Sequence, residues 1–251
     1  MKNARKVIAM VLVLALTVAM SVAGTIAYLK DDDAETNVFT VGNVEIDLIE
    51  NYEQGSKLLP ATGSAQDKTL KNGVKKEVSV KNTGTEDAFV RVHIAIPNVL
   101  DNGNPDFDAG KNVLHFNFPK ENAAAGKWDW TTTTGEPYSG TPWNYYEVEI
   151  TDPTTDSSSN SEAAKAVKYN VYVVTYETAL KAGEETPEKA IDQVYLDGRV
   201  TNEDIARINE ALNNQWQIKV VAEGAQAAGF NDAYEALNEA FGKPGSYNPF
   251  A

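Results

Sequence analysis

The sequence predicts a mainly β fold, an antiparallel jelly roll or β-sandwich with two short helices near the C-terminus. Three observations lead to this fold class. Short segments alternate apolar and polar residues with the two-residue period of half-buried strands. Turn-rich stretches separate these segments, and both helical patterns fall after residue 200. Strands that alternate in this way form a sheet with one apolar face. Because that face must be buried, we expect two sheets packed against each other.

The strand predictions follow this alternation along the chain. The clearest strand is "DAFVRVHIAIP", in which four apolar side chains face one way, Arg91 and His93 face the other, and Pro97 ends the strand. The segment "YNVYVVTY" is apolar on both faces and is predicted to be a central strand. The same pattern predicts further strands at residues 44–48, 78–80, 114–118, 146–150 and 216–220.

Helices and long loops interrupt the strand pattern. Thr201 is predicted to cap a helix over about 202–214, with Asp204 as its capping-box partner. A second helix over about 231–241 ends at Gly242, a residue type that favours helix C-termini. Polar and turn-forming residues predict long loops at about 51–73, 101–112 and 151–163.

The N-terminus has the pattern of a secretory signal peptide. Three basic residues precede the uncharged apolar run Val7–Ala23, and small residues follow it. At 17 residues the run is shorter than the ~20 that a bilayer-spanning helix needs. We expect cleavage between Ala27 and Tyr28, so that residues 1–27 are removed and 28–251 form a single secreted domain. An uncleaved membrane anchor is the alternative.

Charge and cysteine content restrict the classes of partner and site. The formal net charge is −14, and the chain contains no cysteine and only two histidines. Such an acidic chain repels nucleic acid and anionic lipid, so we expect no nucleic-acid partner, and membrane contact only before signal-peptide cleavage. Without cysteine, disulfides, thiol catalysis and zinc–cysteine sites are excluded, and a packed core must stabilise the fold.

The two histidines do not form a recognisable catalytic or metal motif. His93 and His115 each lie on the polar face of a predicted strand, and the sequence lacks the H-E-x-x-H pattern of zinc peptidases. We interpret both as exposed structural residues. The sequence therefore predicts no catalytic residue, no metal site and no cofactor, and we expect a protein that is not an enzyme.

Oxygen-bearing side chains alternate in the segment "DNGNPDFDAG". Asn104, Asp106 and Asp108 have a spacing that calcium loops use. The glycine and glutamate of an EF-hand are misplaced, since Gly110 is seventh and His115 twelfth from Asn104. We interpret the segment as an Asx-rich turn, with a calcium site as the alternative.

Two further patterns have a structural and a functional interpretation. Aromatic residues crowd the region from Trp128 to Tyr146, where they either fill the core or form a sugar-binding or partner surface. We favour the core. The pentapeptide "LPATG", residues 59–63, matches a sortase sorting signal, but no apolar run and basic tail follow it. We interpret it as part of a turn-rich loop.

The N-terminal segment "GTIAYLKDDDAETNVFTVGNVEIDL" resembles the start of the TasA/camelysin family of secreted Gram-positive proteins. In that family the export signal is processed by a SipW-type signal peptidase. The segment "VSVKNTGTEDAFVRVHI" is similar to the family's next strand pair, which is joined by an Asn-x-Gly turn. The positions that match the family's N-terminal pattern are Gly24, Thr25, Ala27, Phe39, Thr40 and Gly42.

The resemblance implies a jelly-roll sandwich at the cell surface or in the extracellular matrix, where it could contact other matrix or cell-wall components. Some members assemble into fibres by donating the mature N-terminal segment to a neighbour as a strand. Here that segment would run from Tyr28 to about Thr40, with Val38, Phe39 and Val41 as candidate donor residues. We therefore expect a secreted, non-enzymatic structural protein. The alternatives are a camelysin-like metallopeptidase, for which no recognisable zinc set is present, and a surface adhesin or sugar-binding module.

Overall fold

Two antiparallel sheets and two helices late in the chain form the described fold, as the sequence predicts. The structure is a computed structural model and describes residues 30–32, 43–53, 56–62, 71–101, 113–116, 128–129, 145–151, 166–212 and 216–251. Its strands are β1 (Lys30–Asp32), β2 (Ile46–Tyr52), β3 (Val74–Asn82), β4 (Ala88–Pro97), β5 (Leu114–Phe116), β6 (Trp128–Asp129), β7 (Tyr145–Thr151), β8 (Ala166–Leu180), β9 (Ile191–Leu196) and β10 (Lys219–Gln226), and its helices are α1 (Asn202–Ala211) and α2 (Ala233–Phe241).

The larger sheet has the strand order β1–β10–β4–β8–β6, and β7 also pairs with β8. The smaller sheet has the order β2–β3–β9–β5. Strand β8 is 15 residues long and pairs with β4 on one side and with β6 and β7 on the other. The prediction that "YNVYVVTY" forms a central strand is therefore confirmed. All pairings between these strands are antiparallel.

The main core lies between the two sheets, in a sandwich-like arrangement. Apolar side chains of β4 and β3 that the sequence places on one face are fully buried there, and residues of β5 and β9 join them. The alternation predicts this because successive side chains of a strand point to opposite faces. The side chains of β4 and β3 in this core include Val90, Val92, Ile94, Ile96, Val78 and Val80.

The opposite face of the larger sheet is also covered, by helix α2. Its small apolar side, with Ala236 and Leu237, packs against Phe89 of β4 and Ala225 of β10. The expectation that His93 is exposed is wrong, because His93 on this same face is fully buried and packs against Tyr146 of β7 and Tyr247 of the C-terminal tail. The alternation of side chains predicts which residues share a face of the sheet, but it does not predict whether another element covers the polar face.

Helix α1 begins where its sequence signal predicts, and α2 begins slightly later than predicted. Thr201 and Asp204 form the complete capping box of α1. Helix α2 begins two residues later than predicted because Asp232 is its N-cap and accepts a hydrogen bond from the Glu235 backbone N–H at 2.8 Å. Gly242, with φ of 92°, is at the C-terminal end of α2. Within the described ranges, no helix has the length and apolarity needed to cross a lipid bilayer.

Part of the segment 51–73, predicted to be a loop, belongs to the smaller sheet or lies beside it. Strand β2 continues through Tyr52, and the Ala61 backbone N–H donates to the Leu196 carbonyl at 3.0 Å. The first residues of the "LPATG" segment thus lie beside β9, with the Leu59 side chain exposed. The predicted loops over 101–112 and 151–163 lie outside the described residues, except for Asp101 and the last residue of β7.

Candidate functional site

Strand β10 carries the sheet edge at which the N-terminal segment pairs. Strand β1, Lys30–Asp32, runs antiparallel to residues 223–225, with Asp31 directly opposite Gly224. β1 is the outermost strand of the larger sheet in the described part of the chain. At residues 223–225 this edge of β10 is therefore paired with a segment from the opposite end of the sequence.

Gly224 allows the two sheets to approach each other at this edge. A Cβ atom at this position would lie 2.8 Å from Cγ2 of Ile46 in β2, closer than such contacts allow. Glycine inside a strand commonly marks a close approach of this kind. Any larger side chain would push β10 away from β2, and would disturb the edge that receives β1.

A polar cluster, defined as Arg91, His93, Glu223 and Tyr247, lies on the outer face of the larger sheet, where the first three residues are buried. Arg91 Nε donates to Glu223 Oε2 at 2.5 Å, and His93 Nε2 lies 3.0 Å from the same oxygen. The Tyr247 hydroxyl donates to Glu223 Oε1 at 2.5 Å. The Glu223 side chain is 1% exposed, so these three partners replace the water that a carboxylate requires.

Arg91 connects this cluster to helix α2 and to the C-terminal residues. Its Nη1 donates to Asn238 Oδ1 at 3.0 Å. Its Nη2 donates to the Gly242 carbonyl at 3.0 Å and to the Tyr247 hydroxyl at 2.7 Å. The planar guanidinium therefore joins β4, β10, α2 and the C-terminal tail at one point.

The hydrogen bonds of the cluster define its protonation. Burial lowers the pKa of His93 and outweighs the attraction of Glu223, so the imidazole is neutral at neutral pH. Burial alone would raise the pKa of Glu223, but the contacts with His93, Arg91 and Tyr247 hold this pKa below its usual range. An ionised carboxylate only accepts, so Nε2 of His93 carries the hydrogen and Nδ1 accepts from the Tyr146 hydroxyl at 3.0 Å.

The cluster is suited to holding elements together rather than to acting on a substrate. His93 and Glu223 are no more than 1% exposed, and each has its hydrogen-bonding groups directed at other protein groups. A catalytic group must reach the atoms that react. These hydrogen bonds instead hold the C-terminal residues against β10, and β10 is also the strand that pairs with β1 along its edge.

His115 lies in the other sheet and has a different environment. Its Nε2 is 3.0 Å from Asp197 Oδ2, and its ring stacks on Tyr195 with centroids 5.1 Å apart. Hydrogen bonds from the Arg199 side chain hold the pKa of Asp197 well below its usual range. The two histidines of the chain therefore do not share a site. In the described ranges, no group of three or more histidine, aspartate or glutamate side chains is placed to hold a metal ion.

Two residues of the aromatic region are core residues. Trp128 is buried, its Nε1 donates to the Glu188 carbonyl at 2.9 Å, and its ring meets Tyr176 edge-on. Tyr146 is buried on the outer face of the larger sheet. The core interpretation is confirmed for these two residues. The neighbouring aromatic residues Trp130, Tyr138 and Trp143 lie outside the described residues.

Several predicted site residues lie outside the described residues, so the structure does not bear on them. They comprise the cleavage-site pair, the candidate donor residues and the calcium candidate. These residues are Ala27, Tyr28, Val38, Phe39, Val41, Asn104, Asp106 and Asp108.

A cavity of about 310 Å³ opens at the smaller sheet, beside the segment that precedes β10. Its wall is mostly apolar, with Tyr52 and Trp216 as its aromatic members. Lys76 Nζ lies 3.0 Å from Glu50 Oε2 in the same wall. The volume lies at the lower end of small-molecule pockets. The ammonium and carboxylate neutralise each other, so the wall does not select a charged ligand.

Sequence reasoning missed Glu223 and Tyr247. Glu223 could have been noticed as the one acidic residue inside the apolar stretch "VVAEGA", because an acid within a buried strand requires a partner. Tyr247 has no comparable signal. It follows the last helix in a short tail rich in glycine and proline, and its role depends on where that tail lies.

Comparison with protein-family models, with curated proteins and with solved structures finds no match to this chain. The resemblance of the N-terminal segment to the TasA/camelysin family therefore stays a prediction.

Proposed function

We propose that this chain is a secreted, non-enzymatic structural protein of the cell surface or extracellular matrix, which assembles by donating its N-terminal segment to the edge of a neighbouring copy. The observation that supports this proposal is the pairing of β1 with β10. In that pairing, the N-terminal segment occupies a sheet edge through main-chain contacts. The likeness of this segment to the TasA/camelysin family is the second support.

Strand addition explains how the same contacts would join two copies. Main-chain hydrogen bonds along an edge provide affinity, and alternate side chains provide register. A β1 segment that leaves its own β10 and pairs with a neighbour's β10 makes the same hydrogen bonds between chains. Donation in one direction does not close on itself, so it produces filaments rather than dimers.

Charge is expected to control this assembly. The whole chain has a net charge of −14, and loss of residues 1–27 with their basic residues makes it more negative. Copies of the secreted chain therefore repel one another, and dissolved salt or bound cations screen that repulsion. Asp31 and Asp32 belong to the pairing segment itself. We therefore expect filaments at high ionic strength, with calcium or at mildly acidic pH, and monomers in dilute buffer at neutral pH.

Engineered cysteines provide a direct test because the chain has none of its own. Lys30 lies directly opposite Ala225, and directly opposite residues share one face of the sheet. Mixing a Lys30→Cys variant with an Ala225→Cys variant under filament conditions is expected to give disulfide-linked dimers. A mixture of Lys30→Cys with Glu149→Cys, at the far side of the same sheet, is the matched control and should stay uncoupled.

The double variant distinguishes exchange between copies from pairing within one copy. If Lys30→Cys/Ala225→Cys forms only internal disulfides, and electron microscopy shows single particles in every buffer, assembly by strand donation is wrong. N-terminal sequencing of the exported protein tests the secretion part separately. An exported chain that still begins with Met1 would contradict it.

The sugar-binding alternative loses one aromatic residue of the region from Trp128 to Tyr146. Trp128 is 3% exposed and lies in the sandwich core, so its ring is not available to stack on a sugar. A glycan screen of the purified protein tests the rest of that alternative.

A further inference from the structure

Asp101 is a buried carboxylate at one end of the sandwich. It follows the 3₁₀ turn Asn98–Leu100, and the residue is 3% exposed. Its Oδ2 accepts hydrogen bonds from Asn170 Nδ2, at 2.9 Å, and from the Tyr172 hydroxyl. Its other oxygen, Oδ1, is buried and has no hydrogen-bond partner within the described part of the chain. One oxygen of this carboxylate therefore has hydrogen-bond donors and the other oxygen has none.

A second unpaired acceptor belongs to the neighbouring side chain. Asn170 is 1% exposed, and its Oδ1 also lacks a hydrogen-bond partner among the described groups. Exchanging the amide oxygen and nitrogen does not remove the problem, because it would place the amide oxygen against the Asp101 carboxylate. Two acceptor oxygens on side chains in direct contact are thus buried without a donor, which native structures usually avoid.

A second carboxylate borders this pair. Glu147 of β7 is directly opposite Asn170 in the register of β7 and β8, so the two side chains share one face of the sheet. Burial raises the pKa of Tyr145, and the negative charges of Asp101 and Glu147 raise it further. No lysine or arginine in the described ranges forms an ion pair with either carboxylate.

We propose that Asp101 and Asn170 bind a calcium ion through their unpaired Oδ1 atoms, with the Glu147 carboxylate adding negative charge from the neighbouring strand. Carboxylate and amide oxygens are the ligand types that calcium prefers, and its coordination shell is irregular and accepts water and main-chain oxygens as further ligands. Magnesium suits the pair less well, because it demands a near-octahedral shell and retains its water.

The test begins with purified protein that has been treated with a chelator to remove bound metal. Calcium is then titrated into it, with binding measured by calorimetry and stability measured by thermal unfolding. The wild-type protein is expected to bind calcium saturably, with one ion per chain. It is also expected to unfold at a higher temperature when calcium is present, since a ligand of the native state stabilises that state. The variant Asp101→Asn is expected to bind calcium about tenfold more weakly or not at all, because ligand charge sets affinity.

Asp101→Asn is also expected to fold. Its new amide nitrogen can donate to Asn170 Oδ1, while its oxygen still accepts from Tyr172. In chelator the variant should therefore unfold at the same temperature as the wild-type protein or at a higher one. Glu149→Gln is the matched control, because it removes an exposed carboxylate from the same strand as Glu147. It should bind calcium like the wild-type protein.

Three results would overturn the proposal. The first is a wild-type protein that shows no saturable uptake at millimolar calcium. The second is an Asp101→Asn variant whose affinity and calcium-dependent stabilisation equal those of the wild-type protein. The third is uptake that survives Asp101→Asn but disappears in an Asp106→Asn/Asp108→Asn variant, which would assign the ion to that sequence segment instead.

Discussion

Arg91 and Glu223 form an ion pair with Nε and Oε2 2.5 Å apart, and both side chains are at most 2% exposed. They come from β4 and β10, which are separated by more than 100 residues in the sequence. A buried pair of this kind contributes little net stability over a well-packed apolar pair, but removing one partner leaves an uncompensated charge. The pair therefore makes the packing of β10, α2 and the C-terminal tail depend on both residues.

Replacing Glu223 with glutamine is expected to lower the free energy of unfolding by ~3–5 kcal/mol, because Arg91 then stays buried without its counter-charge. Urea unfolding monitored by tryptophan fluorescence measures the change. Glu149→Gln is the control, since the Glu149–Lys168 pair is exposed and should contribute no more than ~1 kcal/mol. Equal effects of the two variants would show that the buried pair is not what stabilises this face.

Tyr247→Phe is expected to loosen the C-terminal tail. The change removes the donor to Glu223 and the acceptor for Arg91 Nη2, and an unsatisfied buried polar group costs ~1–3 kcal/mol. Hydrogen exchange should become faster in α2 and in residues 242–251, while β3 and β9 keep their protection. Tyr52→Phe is the control because Tyr52 is 45% exposed. Unchanged exchange in α2 would contradict the role of Tyr247.

The stability of the protein is expected to fall as the pH is lowered from neutrality. The pKa of His93 is below its ordinary value of 6.5 in the folded state, so below that pH the unfolded chain binds more protons and is favoured. The pKa of Glu223 is also lowered, from an ordinary 4.5, so its stabilising contribution is lost in turn as the pH falls below that value. Urea midpoints measured from about pH 8 to about pH 3 will report the His93 change and most of the Glu223 change.

The variant His93→Gln separates the two contributions. Glutamine can donate to Glu223 and accept from Tyr146 without titrating, so its urea midpoints should change less than those of the wild-type protein as the pH falls from 6.5 towards about 5. The loss at lower pH should remain. A variant with the same pH dependence as the wild-type protein throughout would exclude His93 as the titrating group.

Gly84→Ala is expected to be severely destabilising. A Cβ atom at this turn between β3 and β4 would lie 2.2 Å from the Asn43 carbonyl oxygen and 2.7 Å from the Glu45 nitrogen. Both are backbone atoms, so the overlap cannot be relieved by a rotamer change, and a loss of ~3 kcal/mol or more is expected. Thermal unfolding measures it.

Gly183→Ala serves as the comparison for Gly84. Gly183 has φ of 81° and no atom within 4 Å of a built Cβ, so alanine there meets only backbone strain, of ~1–2 kcal/mol. A Gly84→Ala variant as stable as Gly183→Ala would show that the turn can open away from residues 43–45.

The β pattern and the start of α1 could be predicted because their causes are local. The alternation in β4 predicts which side chains enter the core, and the Thr201–Asp204 capping box involves residues three apart. The exposure of His93 was predicted wrongly because its neighbours come from β10, β7 and the C-terminal tail. The Asp101–Asn170 contact joins residues 69 apart, and neither residue has a local signal for it.

The sequence by itself determined the mainly β class, the central position of β8 and the two late helices, because side-chain periodicity and caps act over a few residues. Only the tertiary structure decided that a second layer covers the polar face of β4, that β1 pairs with β10, and that Asp101 is buried beside Asn170. These features depend on which distant segments meet. Contacts between residues that are far apart in the sequence leave no local pattern from which they could be predicted. Once such residues are buried, each charged or polar group depends on its partner for hydrogen bonding.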